Sequence, residues 1–252
     1  MSGAPETFWA ALPLGRDVRL LAHDRNGVAA LAKPAGVLSH PNAAGEEGRA
    51  LLQARYDLEA EAYGWNAGDG TPCRLHLLNR LDSATSGVVL VTADAALAQD
   101  IRAQFRAKAV RKVYLALVFG RPLAARQHWR DRLAVTKRGG RVRAEAGGAV
   151  PAESEMTVVR SARKEAGLAL IRLEPRTGRS HQLRVQCAKR GLPIVGDQTY
   201  GDFSRNRAFA KRTGAKRLFL HSLETAFVYR LHGQEIPFAA KAPPPAEFEA
   251  WL

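Results

Sequence analysis

Residues 75–91 read LHLLNRLDSATSGVVLV, a polar run between two apolar segments. The apolar residues 75–78 and 88–91 have the composition of buried strands. Asp82 lies at the centre of the polar run, with Arg80 two residues before it and Thr85 three residues after it. A carboxylate between two strands is most often a turn residue. On its own, the stretch therefore predicts a sharp strand-to-strand connection and leaves a catalytic role for Asp82 open.

The remaining chain predicts a mixed α+β fold that is dominated by its sheet. Strands are predicted where apolar residues alternate or form short runs. These places are residues 18–32, 113–119, 156–160, 168–173, 218–222 and 224–231. The first range is predicted to be a pair of strands joined by a turn at residues 24–27. Residues 121–150 are rich in arginine and contain two Gly-Gly pairs, which indicates a flexible hairpin region.

Helices are predicted in three main places. Leu51, Leu52, Tyr56 and Leu58 have roughly helical spacing, which predicts a helix over residues 46–63. A second helix begins after Asp94, whose side chain can cap it. A third is predicted over residues 180–189, with Ser180 as its cap and Gly191 ending it in the left-handed conformation. A last short helix is predicted to end at residues 251–252.

The length and composition predict one globular domain. The chain has 252 residues, of which 46% are apolar and 25% are charged. We expect residues 1–17 to be an irregular N-terminal leader and residues 18–252 to form the domain. The N-terminus does not resemble a secretory signal, and no apolar run approaches the ~18 residues of a membrane span. With only Cys73 and Cys187 present, we expect a reducing compartment, the cytoplasm.

The charge is large and unevenly distributed. Lysine and arginine number 38 against 24 acidic residues, which gives a net charge of +14. Residues 100–150 carry +10 and residues 176–217 carry +9, whereas residues 1–99 carry −3. Two basic blocks in a mildly acidic chain indicate a face that binds a polyanion, and RNA or DNA is the expected partner. A solvated surface without a partner is the alternative.

Several common site types are absent from the sequence. Neither standard form of glycine-rich phosphate loop occurs, and there is no Gly-x-Ser-x-Gly motif. The seven histidines form no His-x-x-x-His pair and no cluster with cysteine. We therefore expect no metal and no nucleotide cofactor.

Four polar groups at the ends of predicted apolar elements remain as candidates. They are Arg80 with Asp82, Tyr114 on its strand, residues 176–184, and His221. Each group also has a structural interpretation: a tyrosine on a strand is most often half-buried in a core, and an arginine often pairs with a surface carboxylate. His181 and His221 are more often structural hydrogen-bonding residues than acids or bases.

Four ordered motifs resemble those of the RluA-type pseudouridine synthases. Residues 80–87, RLDSATSG, resemble the family's Arg-Leu-Asp-x-x-Thr-Ser-Gly motif. The three other motifs are KPAG at 33–36, KVYLALVFG at 112–120, and GRSHQLR at 178–184 with GLPIVGD at 191–197 and YG at 200–201. In addition, LHS at 220–222 resembles a late strand of the family. The resemblance extends from about residue 18 to residue 245, so it covers most of the chain.

The sequence departs from the family pattern at one position of the first motif. Asn79 stands where the family usually has histidine before the Arg-Leu-Asp triplet. Arg80 and Asp82 are retained, so the departure affects only the local contact that the histidine would make. The sequence also has no counterpart of the small N-terminal RNA-binding domain of some family members. We therefore expect the catalytic domain to bind RNA alone.

The resemblance implies both a fold and an activity. The implied fold is a single α+β pseudouridine-synthase-like domain, a mainly antiparallel sheet flanked by helices and loops, with an RNA-binding cleft across the sheet. The implied activity is isomerisation of a specific uridine to pseudouridine in structured ribosomal or transfer RNA, without a cofactor. We expect a monomer that needs no protein partner. The alternatives are an inactive RNA-binding protein and a nucleosidase-like hydrolase.

The resemblance also assigns roles to individual residues. Asp82 is the implied catalytic carboxylate, which either attacks the ribose or abstracts a proton from it. Arg184 would pair with Asp82 and keep it ionised, and Tyr114 would stack on the uracil. Arg80 would fill the space of the flipped nucleotide or contact its phosphate. The further expected substrate-binding residues are Thr85, Arg179, His181 and Leu220.

Overall fold

Antiparallel strands supply most of the regular structure in the computed structural model, which describes residues 4–138, 141–161 and 167–251. The strands are β1 Arg19–His23, β2 Val28–Lys33, β3 Arg55–Asp57, β4 Ala62–Asn66, β5 Pro72–Leu77, β6 Ser86–Thr92, β7 Arg111–Phe119, β8 Arg126–Arg138, β9 Arg141–Ala146, β10 Val150–Ser161, β11 Leu168–Pro175, β12 Leu220–Leu231 and β13 Gln234–Lys241. The helices are α1 Glu6–Ala10, α2 Ala95–Arg106, α3 Gln182–Lys189 and α4 Phe203–Thr213. The predicted α+β class with a mainly antiparallel sheet is confirmed.

The chain divides into two units. The first contains residues 1–110 and 224–242, and the second contains residues 111–223 and 243–252. The long strand β12 passes from the second unit into the first, so it joins the two predicted strands 218–222 and 224–231 into one element. The predicted boundary between a leader and a catalytic domain stays a prediction, although Trp9 within that leader is buried, with 2% of its surface exposed.

In the first unit, β6 is the central strand. It pairs antiparallel with β2 on one side and with β5 on the other, and β1 pairs with β2. All seven residues of β6 are buried. The predicted turn at residues 24–27 is confirmed, because Asp24 Oδ1 accepts the amide protons of Asn26 and Val28 at 2.9 and 3.0 Å. Leu97 and Ile101 of α2 belong to the same apolar cluster as Val28 and Leu90.

Of the two helix predictions that fall in the first unit, one is confirmed and one is wrong. Asp94 caps α2 as predicted, since its carboxylate accepts the amide protons of Ala96 and Leu97. The predicted helix over residues 46–63 is wrong. The segment has one turn of 3-10 helix at Glu47–Arg49, followed by β3 and β4. Tyr56 and Tyr63 face each other across β3 and β4, and this cross-strand aromatic pair outweighs the helical spacing of the leucines.

The second unit contains an antiparallel sheet in the order β7-β11-β10-β8-β9. The predicted strands at 113–119, 156–160 and 168–173 are confirmed and are each longer than predicted. Residues 121–150 contain the β8–β9 hairpin, as predicted, and the first Gly-Gly pair, at residues 139 and 140, lies outside the described residues. Helix α4 and strand β13 were not predicted from the sequence.

Helix α3 begins differently from the prediction. Ser180 is not its cap; the helix follows His181, which has a left-handed backbone with φ of 55° and makes no capping hydrogen bond with its side chain. Gly191 has φ of 66°, as predicted for the end of this helix. The predicted last helix is a single 3-10 turn at Ala246–Phe248, and residue 252 lies outside the described part of the chain.

Candidate active site

The loop that carries Asp82 is closed by main-chain hydrogen bonds. The Thr85 amide donates to the Asp82 carbonyl at 3.0 Å, and the Gly36 amide donates to the Ser83 carbonyl at 2.8 Å. Thr85 is buried, with 2% of its surface exposed, whereas Asp82 is half-buried. The loop therefore has a defined backbone that leaves the Asp82 side chain partly accessible.

Lys33 connects this loop to the segment that follows β2. Its side chain is buried, with 1% exposed. Nζ donates to the carbonyls of Pro34 at 3.0 Å, Val37 at 2.6 Å and Ser83 at 2.9 Å. The ammonium group thus ties the Lys-Pro-Ala-Gly segment to the residue next to Asp82. This contact gives the first matching segment a physical role, which the sequence left unassigned.

Ser39 holds the residue on the other side of Asp82. Its Oγ donates to the Leu81 carbonyl at 2.8 Å and accepts the Leu81 amide proton at 3.0 Å. The Tyr63 hydroxyl in turn donates to the Ser39 carbonyl at 2.7 Å. Both neighbours of Asp82 in the chain are therefore bonded to residues more than forty positions away in sequence.

Asn79, the departure from the family pattern, has a structural partner. Its Oδ1 accepts the amide proton of Leu90 in β6 at 2.7 Å, and the Leu78 amide donates to the Leu90 carbonyl at 3.0 Å. The amide side chain thus takes the place of a strand carbonyl and extends the pairing of β5 with β6 by one bond. Asn79 anchors the start of the Asp82 loop to the central strand.

Arg80 is exposed and lies near an acidic residue of the first unit. Its Nη1 is 3.9 Å from Glu61 Oε1, and 59% of its side chain is exposed. Glu61 also pairs with Arg102 at 3.2 Å, and Arg102 donates to the carbonyls of Leu77 and Glu61. Arg102 thus holds the main chain at Leu77, shortly before Arg80, while most of the Arg80 side chain is accessible to solvent.

Tyr114 lies on β7 in the second unit. It is half-buried on the face opposite Val113 and Leu115, which are buried. Two residues earlier, burial lowers the pKa of the Lys112 ammonium. A methyl group placed on Gly178 would lie 3.7 Å from Lys112 Nζ, so the start of β7 is beside the turn that leads into α3.

Arg184, on α3, is buried and forms a two-point ion pair with Asp197. Nε lies 2.7 Å from Asp197 Oδ2 and Nη2 lies 2.8 Å from Oδ1, and 8% of the arginine side chain is exposed. Burial alone would raise the pKa of the Asp197 carboxyl, but the hydrogen bonds and charge of Arg184, with the amides of Tyr200 and Thr199, hold that pKa below its usual range. Both groups are therefore charged at neutral pH.

A close backbone approach positions Asp197. Gly196 precedes it with φ of 76°, and a Cβ built there would lie 1.8 Å from the Arg217 carbonyl oxygen. Only glycine fits this position without moving the backbone. The glycine in this motif is thus required by the path of the chain that presents the partner of Arg184.

The turn before α3 carries Arg179 and His181. Arg179 is exposed, and its Nε donates to the Pro151 carbonyl at 3.3 Å. The buried Gln182 accepts from the Thr177 hydroxyl at 2.7 Å and from the Arg179 amide at 3.1 Å. His181 Nδ1 lies 2.8 Å from the Tyr200 hydroxyl. These bonds fix the turn to β10 and to the segment after Asp197.

Leu220 is the first residue of β12 and is buried, with 4% exposed. The Leu117 amide of β7 donates to the Phe219 carbonyl at 3.1 Å, so Leu220 begins its strand beside the strand of Tyr114. His221 is also buried and packs edge-on against Phe248.

The structure gathers the predicted site residues into two groups. Arg80, Asp82 and Thr85 share one loop of the first unit. The second unit holds the others, which are Tyr114, Arg179, His181, Arg184 and Leu220. The predicted pairing of Arg184 with Asp82 stays a prediction. Asp197 occupies two donors of the Arg184 guanidinium, which has five N–H donors in all.

Several residues around the candidate site residues have contacts that the sequence does not predict. Lys33, Asp197 and Tyr200 stand inside segments that match the family, so their positions were visible but their contacts were not. Ser39, Glu61 and Arg102 gave no signal at all, because their bonds join residues far apart in the sequence.

The described residues show neither a set of metal ligands nor a membrane-spanning helix. In the described ranges, no three His, Cys, Asp or Glu side chains come together as a set of metal ligands. No helix of residues 4–138, 141–161 and 167–251 has the length and hydropathy that a transmembrane helix needs.

Comparison with solved structures defines the class of fold. The chain is similar to the human RNA pseudouridylate synthase domain containing 1, with a TM-score of 0.66, 21% identity, and 93% of this chain and 87% of that one covered. The human RNA pseudouridylate synthase domain containing 4 gives a TM-score of 0.64 at 22% identity, covering 91% of this chain and 90% of that one. The fold is therefore that of RNA pseudouridylate synthase domains.

The sequence comparisons then identify the family. The profile of RNA pseudouridylate synthase matches residues 27–189, and the chain belongs to this family. It is 36% identical over 162 residues to the ribosomal large subunit pseudouridine synthase C of Vibrio cholerae, covering 62% of this chain and 48% of that protein. It is 30% identical over 222 residues to the tRNA pseudouridine synthase C of Pasteurella multocida, covering 84% and 86%.

The lengths of the relatives differ. The match spans about half of the ribosomal large subunit synthases of three Vibrio species, at 48, 51 and 47% of their length. It spans most of the Pasteurella multocida protein. The RluA-type resemblance noted in the sequence is confirmed at the level of the family.

Proposed function

We propose that this protein is an RNA pseudouridine synthase that isomerises a specific uridine in structured RNA. The observation that carries the proposal is the family match over residues 27–189, a range that includes Asp82, Tyr114 and Arg184 together. The defined backbone of the Asp82 loop supports it, because a catalytic carboxylate needs a fixed position.

The proposed reaction is an isomerisation without net hydrolysis or redox change. The bond between N1 of uracil and C1′ of ribose breaks, and a bond between C5 and C1′ forms. N1 gains a proton and C5 loses one to solvent. All atoms of the uridine are retained, so the reaction needs no co-substrate.

Each candidate residue has a distinct part in the proposed reaction. Asp82 is the catalytic carboxylate, acting on the ribose as a nucleophile or as a base. Arg184 keeps this carboxylate ionised, since a neighbouring cation favours the charged form. Tyr114 stacks on the uracil and assists proton removal at C5. A phenol with an ordinary pKa is a poor base, so that step needs further activation.

The substrate is proposed to be a loop or distorted stem of ribosomal or transfer RNA. The target base must leave its stack, and Arg80 on its exposed position is proposed to replace it or to hold its phosphate. Thr85, Arg179, His181 and Leu220 are the further proposed substrate-binding residues. The relatives include proteins named ribosomal large subunit pseudouridine synthase and tRNA pseudouridine synthase, which supports both kinds of substrate. We also propose a cytoplasmic monomer without an obligatory protein partner.

One assay separates the proposed function from its alternatives. The protein is incubated with unmodified ribosomal RNA or tRNA transcripts that carry tritium at uridine C5. A pseudouridine synthase releases tritium to water and leaves every base attached. Release of labelled uracil would show a nucleosidase-like hydrolase, and RNA binding with no release from either transcript would show a binding protein. Either of these results would refute the proposal.

The assignment of Asp82 is tested with Asp82→Asn, which keeps the size of the side chain and removes its charge. We expect tritium release to fall by about 10³-fold or more, because removal of a catalytic group generally costs this much. RNA binding in a filter assay is expected to persist. Asp100→Asn is the matched control, because Asp100 is an exposed carboxylate of the same unit on α2. Turnover of Asp82→Asn at the control rate would rule out Asp82 as the catalytic carboxylate.

A further inference from the structure

The β8–β9 hairpin, residues 126–146, is strongly basic. It contains seven lysine and arginine residues and two acidic ones. Arg130, Arg132 and Arg143 are exposed, and within the described ranges no hydrogen bond or ion pair joins any of the three to a carboxylate. Exposed guanidinium groups without a carboxylate partner fit a phosphate backbone, because they can bind phosphate without first breaking an ion pair.

One of the two acidic residues of this hairpin is already neutralised. The carboxylate of Asp131 is 1% exposed and bonds Lys189 at 2.7 Å and Arg190 at 2.9 Å, both at the end of α3. Hydrogen bonds from Lys189, Gln186 and Arg190 outweigh the opposing effect of burial and hold the pKa of Asp131 below its usual range. The base of the hairpin is thus fixed to α3, and the net positive charge lies on its exposed side.

Further along the hairpin, its link to α3 passes through Tyr200. The Ala144 amide of β9 donates to the Tyr200 hydroxyl at 2.8 Å, and the same hydroxyl lies 2.8 Å from His181 Nδ1. Because the hydroxyl accepts the amide proton, its own proton can be donated to the histidine nitrogen. A single hydroxyl group therefore connects the hairpin backbone to the turn that begins α3.

Tyr200 is also bound to the surroundings of Arg184. Asp197 Oδ1 accepts both the Tyr200 amide proton at 3.0 Å and a proton from Arg184 Nη2 at 2.8 Å. The Arg184 guanidinium carbon lies 5.1 Å from the centre of the Tyr200 ring. A displacement of Tyr200 would thus change the contacts of both His181 and Arg184.

Packing between β9 and α3 is incomplete beside this link. A cavity of about 370 Å³ is lined by residues 143–146 of β9, by Val185, Ala188 and Lys189 on the α3 side, and by Thr199 and Tyr200. Leu133, Ala144, Ala152 and Val185 fill part of the interface. With a cavity in place of close packing, a polar bridge has more influence on the distance between hairpin and helix.

We propose that Tyr200 is a positioning residue that couples contact between RNA and the β8–β9 hairpin to the placement of His181 and Arg184. The inference rests on the proposed function, since it assumes RNA as the ligand of the hairpin. Phosphates bound by Arg130 of β8 and Arg143 of β9 shift this pair of strands, and the Ala144–Tyr200–His181 bridge transmits the shift to the turn and helix that carry the candidate site residues. The bridge makes turnover depend on hairpin occupancy.

Tyr200→Phe removes the bridge and retains the ring beside Arg184. In single-turnover tritium release we expect a rate about tenfold lower, because a small loss of positioning has large effects on rate. The enzyme concentration that gives the half-maximal single-turnover rate is expected to change less than about twofold, since the hairpin arginines remain. A general loss of folding would lower the active fraction but leave the rate constant of the remainder intact.

A double-mutant cycle distinguishes coupling from two independent effects. The hairpin variant Arg130→Ala/Arg143→Ala is expected to weaken RNA binding and also to lower the saturated rate by about tenfold. Combined with Tyr200→Phe, the saturated rate is expected to stay at the level of the slower parent, because the transmission is already broken. A combined variant whose rate is the product of both losses would overturn the proposal.

The matched control is Tyr229→Phe. Tyr229 is a buried tyrosine of the first unit whose hydroxyl donates to Asp24 and accepts from Asn26 Nδ2 at 2.7 Å. Its loss removes the same kind of bond from a place without a proposed role in the reaction. We expect a similar decrease in melting temperature and an unchanged turnover rate. An equal loss of turnover in both variants would reduce Tyr200 to a structural residue and refute the coupling.

A second measurement is independent of turnover. Hydrogen exchange of the Ala144 amide and of residues 181–184 is followed with and without a saturating unmodified tRNA transcript. In the wild type, RNA is expected to slow exchange at all of these amides. In Tyr200→Phe, RNA is expected to slow exchange of the Ala144 amide in the hairpin but not of residues 181–184. If no RNA supports tritium release while this pattern holds, the proposed function fails and the coupling stands. If RNA leaves exchange of the wild-type hairpin unchanged, the coupling fails whatever the activity.

Discussion

The loop of Asp82 and the helix of Arg184 hold their candidate catalytic side chains by different means. Around Asp82, the bonded groups of the loop are mostly main-chain atoms: the Thr85 amide, the Ser83 carbonyl and both polar groups of Leu81. Around Arg184, the bonded groups are charged side chains, with Asp197 at two points. Each means of support predicts a different sensitivity to mutation.

A loop held through its main chain tolerates changes of its own side chains, but it depends on the few distant groups that bind its backbone. A helix held through buried charges depends directly on the identity of each charged residue. Breaking a buried ion pair leaves an uncompensated charge in a poorly solvated place, and this costs more than the loss of a neutral hydrogen bond. The largest effects of mutation are therefore expected on the Arg184 side.

Asp197→Ala is expected to have the largest effect on stability. It leaves the buried Arg184 guanidinium without its two-point partner, and removing one member of a buried pair costs about 3–5 kcal/mol. The measurement is the free energy of unfolding from urea titration. Glu235→Gln is the control, because it breaks the exposed pair with Arg230, which contributes about 0–1 kcal/mol. Equal losses in the two variants would show that Arg184 finds other partners and that burial does not matter here.

Lys33→Met should have the next largest effect. It removes the donor for three carbonyl groups while retaining a chain of similar length, and unsatisfied buried acceptors cost about 1–3 kcal/mol. Because one of these carbonyls belongs to Ser83, we also expect slower tritium release. Lys241→Met, an exposed position on β13 of the same unit, is the control for loss of a positive charge. If Lys33→Met had the same stability and the same rate of tritium release as Lys241→Met, Lys33 would not be needed to hold the Asp82 loop.

Local features of the fold could be predicted from the sequence, whereas the contacts that hold the Asp82 loop and Arg184 could not. Strand pairs such as β1–β2, and the cap at Asp94, follow from local patterns, and the sequence predicts them correctly. The segment over residues 46–63 is mispredicted, because the pairing of Tyr56 with Tyr63 depends on strands that local spacing does not reveal. The candidate site residues follow from the motifs that resemble the family. The partners Ser39 and Asp197 required the tertiary structure, since contacts between distant positions leave no local signal.

Acid is expected to lower the free energy of unfolding, because the carboxylates of Asp197 and Asp131, which pair with residues of α3 and its end, have pKa values below the usual range. In the folded state, the pKa of Asp197 and that of Asp131 lie below their usual range, which is close to the unfolded value of about 3.9. The stabilisation is therefore complete above that unfolded pKa and is lost as pH falls through the folded one, by about 1.4 kcal/mol for each unit of depression.

Urea titrations between pH 7 and pH 2 measure this loss. We expect the free energy of unfolding of the wild type to fall below about pH 4, where the unfolded carboxylates begin to take up protons. Asp131→Asn is expected to be less stable at pH 7 and to show a shallower fall in acid, because one depressed carboxyl has been removed. Parallel curves for the two proteins would contradict the ion-pair account of Asp131.

The smallest effect is expected on the Asp82 side, at Asn79. Asn79→Leu removes the acceptor for the Leu90 amide, and the loss of one partly buried hydrogen bond costs about 1 kcal/mol. Asn79→Asp retains an oxygen at the same place, so its free energy of unfolding should stay within about 0.5 kcal/mol of the wild type. Asn79→His restores the residue usual in the family. A neutral imidazole has one acceptor nitrogen, and if that nitrogen takes the Leu90 amide proton, this variant will match Asn79→Asp rather than Asn79→Leu. Equal losses in all three variants would mean that the shape of asparagine, and not its acceptor oxygen, holds the start of the Asp82 loop.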